Sequence, residues 1–245
     1  MSALAGSGGP GARRFWTHAE VVAEAAGHAL QLDGKPVRTP ARAALILPNR
    51  ALALAVAAEW AAQGEAIQPE TMPLTRAANS AIDRVAPQRD EVAAMVAAYG
   101  ESDLLCYRAA HPPGLVARQT AAWDPILAWA AQALGAPLTA TQGVMHAAQP
   151  DASLARLRDA VTALDAFALT GLHDLVALSG SLVLGLAVRA GRLDPAQAWD
   201  ISRLDEVWQA EHWGIDTEAA AAAAEREAAF LSAARLLDLL EDRDA

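Results

Sequence analysis

The stretch 28-HALQLDGKPVRTPARAALILP-48 decides whether this chain is wholly helical or opens with a sheet. Asp33-Gly34 separates two short runs, HALQL and KPVRT, and an Asp-Gly pair tolerates the positive φ angles of a tight hairpin turn. Leu45 to Leu47 read as a third short strand, stopped by Pro48. Asn49 then caps a helix in which Leu52, Val56 and Trp60 recur every four residues, ending near Gly64. One helix on a small antiparallel sheet is a two-layer α+β unit.

Beyond this unit the texture changes. The piece 66-AIQPETMPLTRAANSAID-83 has two prolines and little periodicity, and reads as a surface loop that also carries Ile67, Met72 and Leu74. After residue 84 almost everything is helical. Val92, Val96 and Tyr99 mark one helical face, and Asp124-Pro125 reads as an N-cap with proline at the first helical position. The segment 136–150 is irregular, and Asp151 caps a helix with Leu154, Leu157, Val161 and Leu164 on one side. Gly180, between two serines, separates or kinks the most apolar helices. Asp194-Pro195 opens another helix and Asp216 opens the last. The fold class is therefore α+β: a disordered tail over 1–12, a small sheet/helix domain over 13–80, and an all-helical bundle of six to eight helices over 81–245.

The totals exclude several functions. Of 245 residues, 53% are apolar and 20% charged, which suits a folded chain. A net charge of -10 with no basic stripe argues against nucleic acid as a partner. The single cysteine, Cys106, admits no internal disulfide and no thiolate-rich metal site, and its neighbours Leu104, Leu105 and Tyr107 suggest burial and a structural role. The first dozen residues lack the apolar core of a secretory signal, and 175-LVALSGSLVLGLAVRA-190 is shorter than the roughly 20 residues a bilayer requires, so no stable membrane insertion is expected. His111, His146 and His173 are scattered, so neither a metal nor a cofactor is indicated.

Two stretches carry candidate sites. In 74-LTRAANSAIDR-84, Thr75, Arg76, Asn79 and Asp83 offer polar groups, with Asn79 and Asp83 on one helical face, against the simpler reading of a solvated helix start. In 204-LDEVWQAEHWG-214, Asp205, Glu206 and Glu211 accompany Trp208 and Trp213. On one continuous helix from Asp194-Pro195 to Gly214, Glu206 falls beside Arg203 and Trp199 on the more open side. Glu211 falls among Leu204, Val207 and Trp208 on the packing side, where a carboxylate must be paired or lie at the margin of a groove. A salt bridge to a core-lining arginine and recognition of a partner's basic group both satisfy that demand.

The ordered set 13-RRFW-16, 32-LDGKPVRTP-40, 59-EW-60, 72-MPLTRAANSAID-83, 102-SDLLCYRA-109, 123-WDP-125, 149-QP-150, 169-LTGLHDLVALSGSLVLGLAV-188 and 205-DEVWQAEHWG-214 resembles the Atp12 family, assembly chaperones of the F1 sector of ATP synthase. Each piece is weak alone, and their order from residue 13 to 240 is specific. The resemblance implies a non-enzymatic monomer that binds the F1 α subunit and masks its β-facing surface, with the family's acidic tryptophan motif falling on Asp205, Glu206 and Glu211. It assigns Trp60 to the fold, and Trp123 and Asp174 fall in motifs read as structural. A chain without a mitochondrial presequence is expected in the bacterial cytoplasm. The alternatives are a small enzyme using the carboxylates at 205–211 with His212, and a homo-oligomer that buries this patch against itself.

Overall fold

The computed structural model describes residues 12–143, 145–214 and 216–241. The tail expected over 1–12 lies outside the described residues except for Ala12, whose carbonyl accepts from the Ile67 N–H. The chain divides into two compact units, one of residues 1–89, 165–171 and 235–245 and the other of residues 90–164 and 172–234.

In the first unit a short sheet is built around β2 (Gly27–Leu32), which pairs antiparallel with β1 (Ala19–Glu24), β3 (Lys35–Pro36) and β4 (Ile46–Leu47). The Asp33-Gly34 turn forms as its residue types demand, with φ of 47° and 76°. β1 has no counterpart among the expected strands. It runs into β2 through Ala25-Ala26 followed by Gly27 (φ 141°), and the two alanines at the centre of the turn carry no turn signal of their own. α1 (Arg50–Ala61) starts where Asn49 Oδ1 accepts from the Leu52 N–H, and Leu52, Val56 and Trp60 lie in the core with Leu30, Leu47 and Trp16.

The surface loop expected over 66–83 is instead ordered and packed. A 3-10 turn (Pro69–Thr71) leads into α2 (Pro73–Ser80) and a π turn (Ala81–Val85). Ile67, Met72, Leu74 and Ala78 are buried in the same core. The cap of α2 is remote in sequence: the Glu59 carboxylate accepts from the Leu74 and Thr75 N–H groups and from the Thr75 hydroxyl, at 2.7–2.8 Å. Local reading along 66–83 could not find a cap supplied by α1.

The second unit contains α3 (Arg89–Ala98, from Asp90 onward), α4 (Pro113–Ala133), α5 (Asp151–Thr162), α7 (Leu182–Arg189), α8 (Pro195–Ser202) and α9 (Leu204–Trp213). α6 (Ala166–Ser179) and α10 (Thr217–Glu241) contribute residues to both units. A two-stranded parallel pair, β5 (Tyr107–Arg108) and β6 (Thr141–Gln142), completes the second unit. Gly180 (φ 73°) separates α6 from α7, and Ser181 caps α7 through the Leu184 N–H. Asp194 caps α8 and Asp216 caps α10 through backbone N–H groups.

Asp124-Pro125 does not start a helix; it lies inside the 21-residue α4. Pro125 and Ala121, four residues earlier, are both exposed, so the carbonyl that proline leaves without a helical donor is not forced into the core. Asp124 is paired instead with Arg108 at 2.8 Å, and that guanidinium lies 5.1 Å from the Trp123 ring centroid.

Cys106 is wholly buried beside this cluster. Burial first, and then the negative charge of Asp103, push its thiol up to about 12. A thiol pKa near 12 leaves only about one molecule in ten thousand as thiolate at pH 8, so alkylation by iodoacetamide is expected to require unfolding. Mass spectrometry with and without urea checks this; prompt labelling of the native chain would overturn it. The fold favours the neutral thiol, so this group's contribution to stability is lost only as pH rises from the ordinary thiol range towards that value.

Candidate functional site

α9 carries Asp205, Glu206, Trp208, Glu211 and Trp213 on ten consecutive helical residues, and none of its residues is buried. The single helix expected over 195–213 is broken at Arg203, because other donors take the last carbonyls of α8. The Ser202 hydroxyl donates to Trp199 O at 2.7 Å, the Arg203 N–H to Asp200 O, and the Trp123 indole N–H to Ile201 O at 3.0 Å. The break turns α9 away from the projected packing side. Val207 is 45% exposed and Trp213 78% exposed.

Glu211 is therefore no buried misfit. Its carboxylate is exposed and accepts from Arg118 at 2.8–2.9 Å, and that arginine is exposed as well. The hydrogen bond from Arg118 holds the Glu211 carboxyl below the usual carboxylate range and raises the arginine in turn. The Arg118 guanidinium also lies 4.7 Å from the Trp208 ring, which stacks on His212 at 4.3 Å. Gly114, one turn before Arg118, makes room for this indole, since a Cβ there would meet the Trp208 ring edge at 2.6 Å. Asp205 accepts from the Nε2 of Gln119 at 2.6 Å, and Gln119, 1% exposed, is fixed by accepting from the Ala109 N–H. Glu206 pairs with Arg203 at 2.7 Å as expected from their spacing.

α4 thus holds α9 through Gly114, Arg118 and Gln119 and the end of α8 through Trp123, of which the sequence singles out Trp123 alone. The available signal was the spacing of Leu115, Gln119 and Trp123 at successive helical turns before Asp124-Pro125. The reading of Asp124 as a cap hid it.

Arg76, Asn79 and Asp83 belong to the other compact unit, on α2 and the π turn after it. Asp83 is tied inward, accepting from the Thr39 hydroxyl at 2.6 Å and the Ala41 N–H at 2.9 Å. Arg76 is exposed, and the Asn79 Oδ1 is buried with no hydrogen-bond partner among the described residues. Trp60 is 3% exposed and Trp123 1% exposed, whereas Asp174 is half-exposed and bonds His173 at 2.9 Å. That bond raises the His173 pKa.

Each carboxylate of α9 is engaged by a side chain of α4 or by Arg203. A general acid working near neutrality needs a raised pKa, and Glu211 is shifted the other way. Among the described residues no three His, Cys, Asp or Glu side chains gather as a metal-ligand set, and no helix is long and apolar enough to cross a membrane.

The family model of the ATP12 chaperone protein matches residues 13–131. The crystal structure of Atp12 from Paracoccus denitrificans is 53% identical, with 93% of this chain and 98% of that chain covered at a TM-score of 0.91. A candidate chaperone from Agrobacterium tumefaciens is 41% identical, covering 93% of this chain and 86% of that chain at a TM-score of 0.90.

Proposed function

This chain belongs to the ATP12 chaperone family, and we propose that it holds the α subunit of the F1 sector of ATP synthase and masks its β-facing surface until assembly. The observation that carries this reading is the exposure of Trp213 and Val207 beside Asp205, Glu206 and Glu211 on a helix with no buried residue. A holder needs apolar area to compete with aggregation and acidic groups to set orientation towards a basic surface. The protein acts by masking rather than by chemistry, as a monomer in the bacterial cytoplasm. In the same proposal Arg76, Asn79 and Asp83 form a second contact surface, with Arg76 the most accessible of the three.

Co-purification with isolated α and β subunits tests the reading. Wild type is expected to retain α and not β. Glu211→Ala leaves Arg118 uncompensated and turns an acidic spot basic, so retention of α is expected to weaken about tenfold, and Glu206→Ala somewhat less. Failure of the wild type to retain α would sink the proposal, and retention of β instead would reassign the masked surface.

A further inference from the structure

On the side of α9 away from the Arg118 pair, an open groove of about 540 Å³ runs between α8 and α9 and the first half of α10. Its apolar lining includes Trp199, Val207 and Trp213, and its α10 wall is Ala219, Ala220 and Ala223. Those alanines place nothing larger than a methyl group in the way, so another backbone can approach α10 closely. Trp199 is buried against Phe230 at 5.6 Å between ring centroids, which makes it a fixed part of the lining. Trp213, 78% exposed, is its solvent-facing counterpart.

The polar lining is one-sided. Asp200, Glu206, Asp216 and Glu227 supply four carboxylates, against one guanidinium from Arg203 that Glu206 already engages. Asp216 additionally caps α10 through backbone N–H groups, which leaves its negative charge in place. A small apolar ligand has no use for this acidic surround, and an acidic segment is repelled by it.

Resting on the reading of α9 as a client-holding surface, we propose that this groove receives one amphipathic helix of the client, its apolar face on Trp199, Trp213 and the alanine wall and its flanking arginines or lysines facing the four carboxylates. The arrangement is a helix-in-groove site, in which apolar anchors one turn apart supply affinity and the charges set partner choice and direction.

The probe is a labelled 18-residue amidated peptide with leucines at helical spacing and arginines at both ends, compared by fluorescence anisotropy with the same peptide carrying glutamates. The arginine peptide is expected to bind the wild type and to weaken as salt rises, with the glutamate peptide at least tenfold weaker. Ala220→Leu fills the groove from an exposed helical position, and is expected to lower binding of the arginine peptide about tenfold while leaving circular dichroism unchanged. Glu227→Lys is expected to weaken the arginine peptide and favour the glutamate peptide. Equal binding of the two peptides, indifference to Ala220→Leu, or a dimer mass for the free protein that Ala220→Leu abolishes would each overturn the proposal. Retention of the α subunit by wild type and Ala220→Leu alike would defeat the groove and leave the holding function standing. Binding of the arginine peptide without retention of α would do the reverse.

Discussion

Asp103→Ala is expected to destabilise the second compact unit by about 3–5 kcal/mol, because it strips several buried donors of one shared acceptor. Asp103 is 0% exposed. Its Oδ1 accepts from the Leu105 N–H at 3.0 Å and the Ser181 hydroxyl at 2.7 Å, and its Oδ2 from the Val183 N–H at 2.9 Å. The carboxylate therefore caps the short 3-10 turn Leu104–Cys106 and the start of α7, segments about eighty residues apart in sequence. Alanine removes all three bonds and leaves the Leu105, Ser181 and Val183 donors without their shared acceptor. Asp103→Asn keeps an acceptor for Leu105 and Ser181 but turns an NH2 group towards the Val183 N–H, so an intermediate loss of about 1–3 kcal/mol is expected.

The pH dependence reports the cost of burying this charge, separately from its hydrogen bonds. Burial raises the Asp103 pKa, against the opposing effect of its hydrogen bonds. A folded pKa above the unfolded one means that this group's contribution is fully present below the unfolded value and is lost as pH rises through the folded value. Urea denaturation across that range should show the loss in wild type and not in Asp103→Asn. Hydrogen exchange at the Val183 amide should rise in both variants. Unchanged exchange at Val183 would disprove the shared-acceptor account.

Local chemistry made the outline of the fold legible, and remote chemistry hid its corrections. Asp33-Gly34, Asn49, Gly180, Asp194 and Asp216 act on their own neighbours, so their turns and caps could be read from a few residues. Glu59 capping α2, Gln119 binding Asp205 and Trp123 binding Ile201 join positions far apart, and periodicity along one segment carries no trace of them. The site shows the same division. Glu206 with Arg203 is one helical turn and was predictable. Glu211 with Arg118 is not, and a projection that assumed one unbroken helix put that carboxylate on the wrong side.

The break at Arg203 also lets Trp123 disturb the site from a distance. Its ring is 1% exposed and lies under Arg108, and its N–H donates to the Ile201 carbonyl near the end of α8. Trp123→Ala is expected to cost about 3–5 kcal/mol, the usual range for deleting a large buried aromatic side chain. Trp123→Phe is the informative variant, since it keeps much of the apolar volume and loses the donor. That leaves Ile201 O free to accept the N–H of Asp205 in a continuous helix, so the turn at Arg203 loses one of the bonds that favour it. With the loss of one buried hydrogen bond, a cost of about 1–2 kcal/mol is expected, together with reorientation of α9 relative to α4. Backbone amide shifts of Arg203 to Glu206 report the first effect, and exchange broadening of the Arg118 guanidinium signal reports the second. A Trp123→Phe protein with wild-type shifts along 203–206 would show that the turn is held by Ser202 and Asp200 alone. If the shifts move and retention of the α subunit falls with them, the indole, through Ile201, sets the direction in which α9 presents Glu206, Glu211 and Trp213.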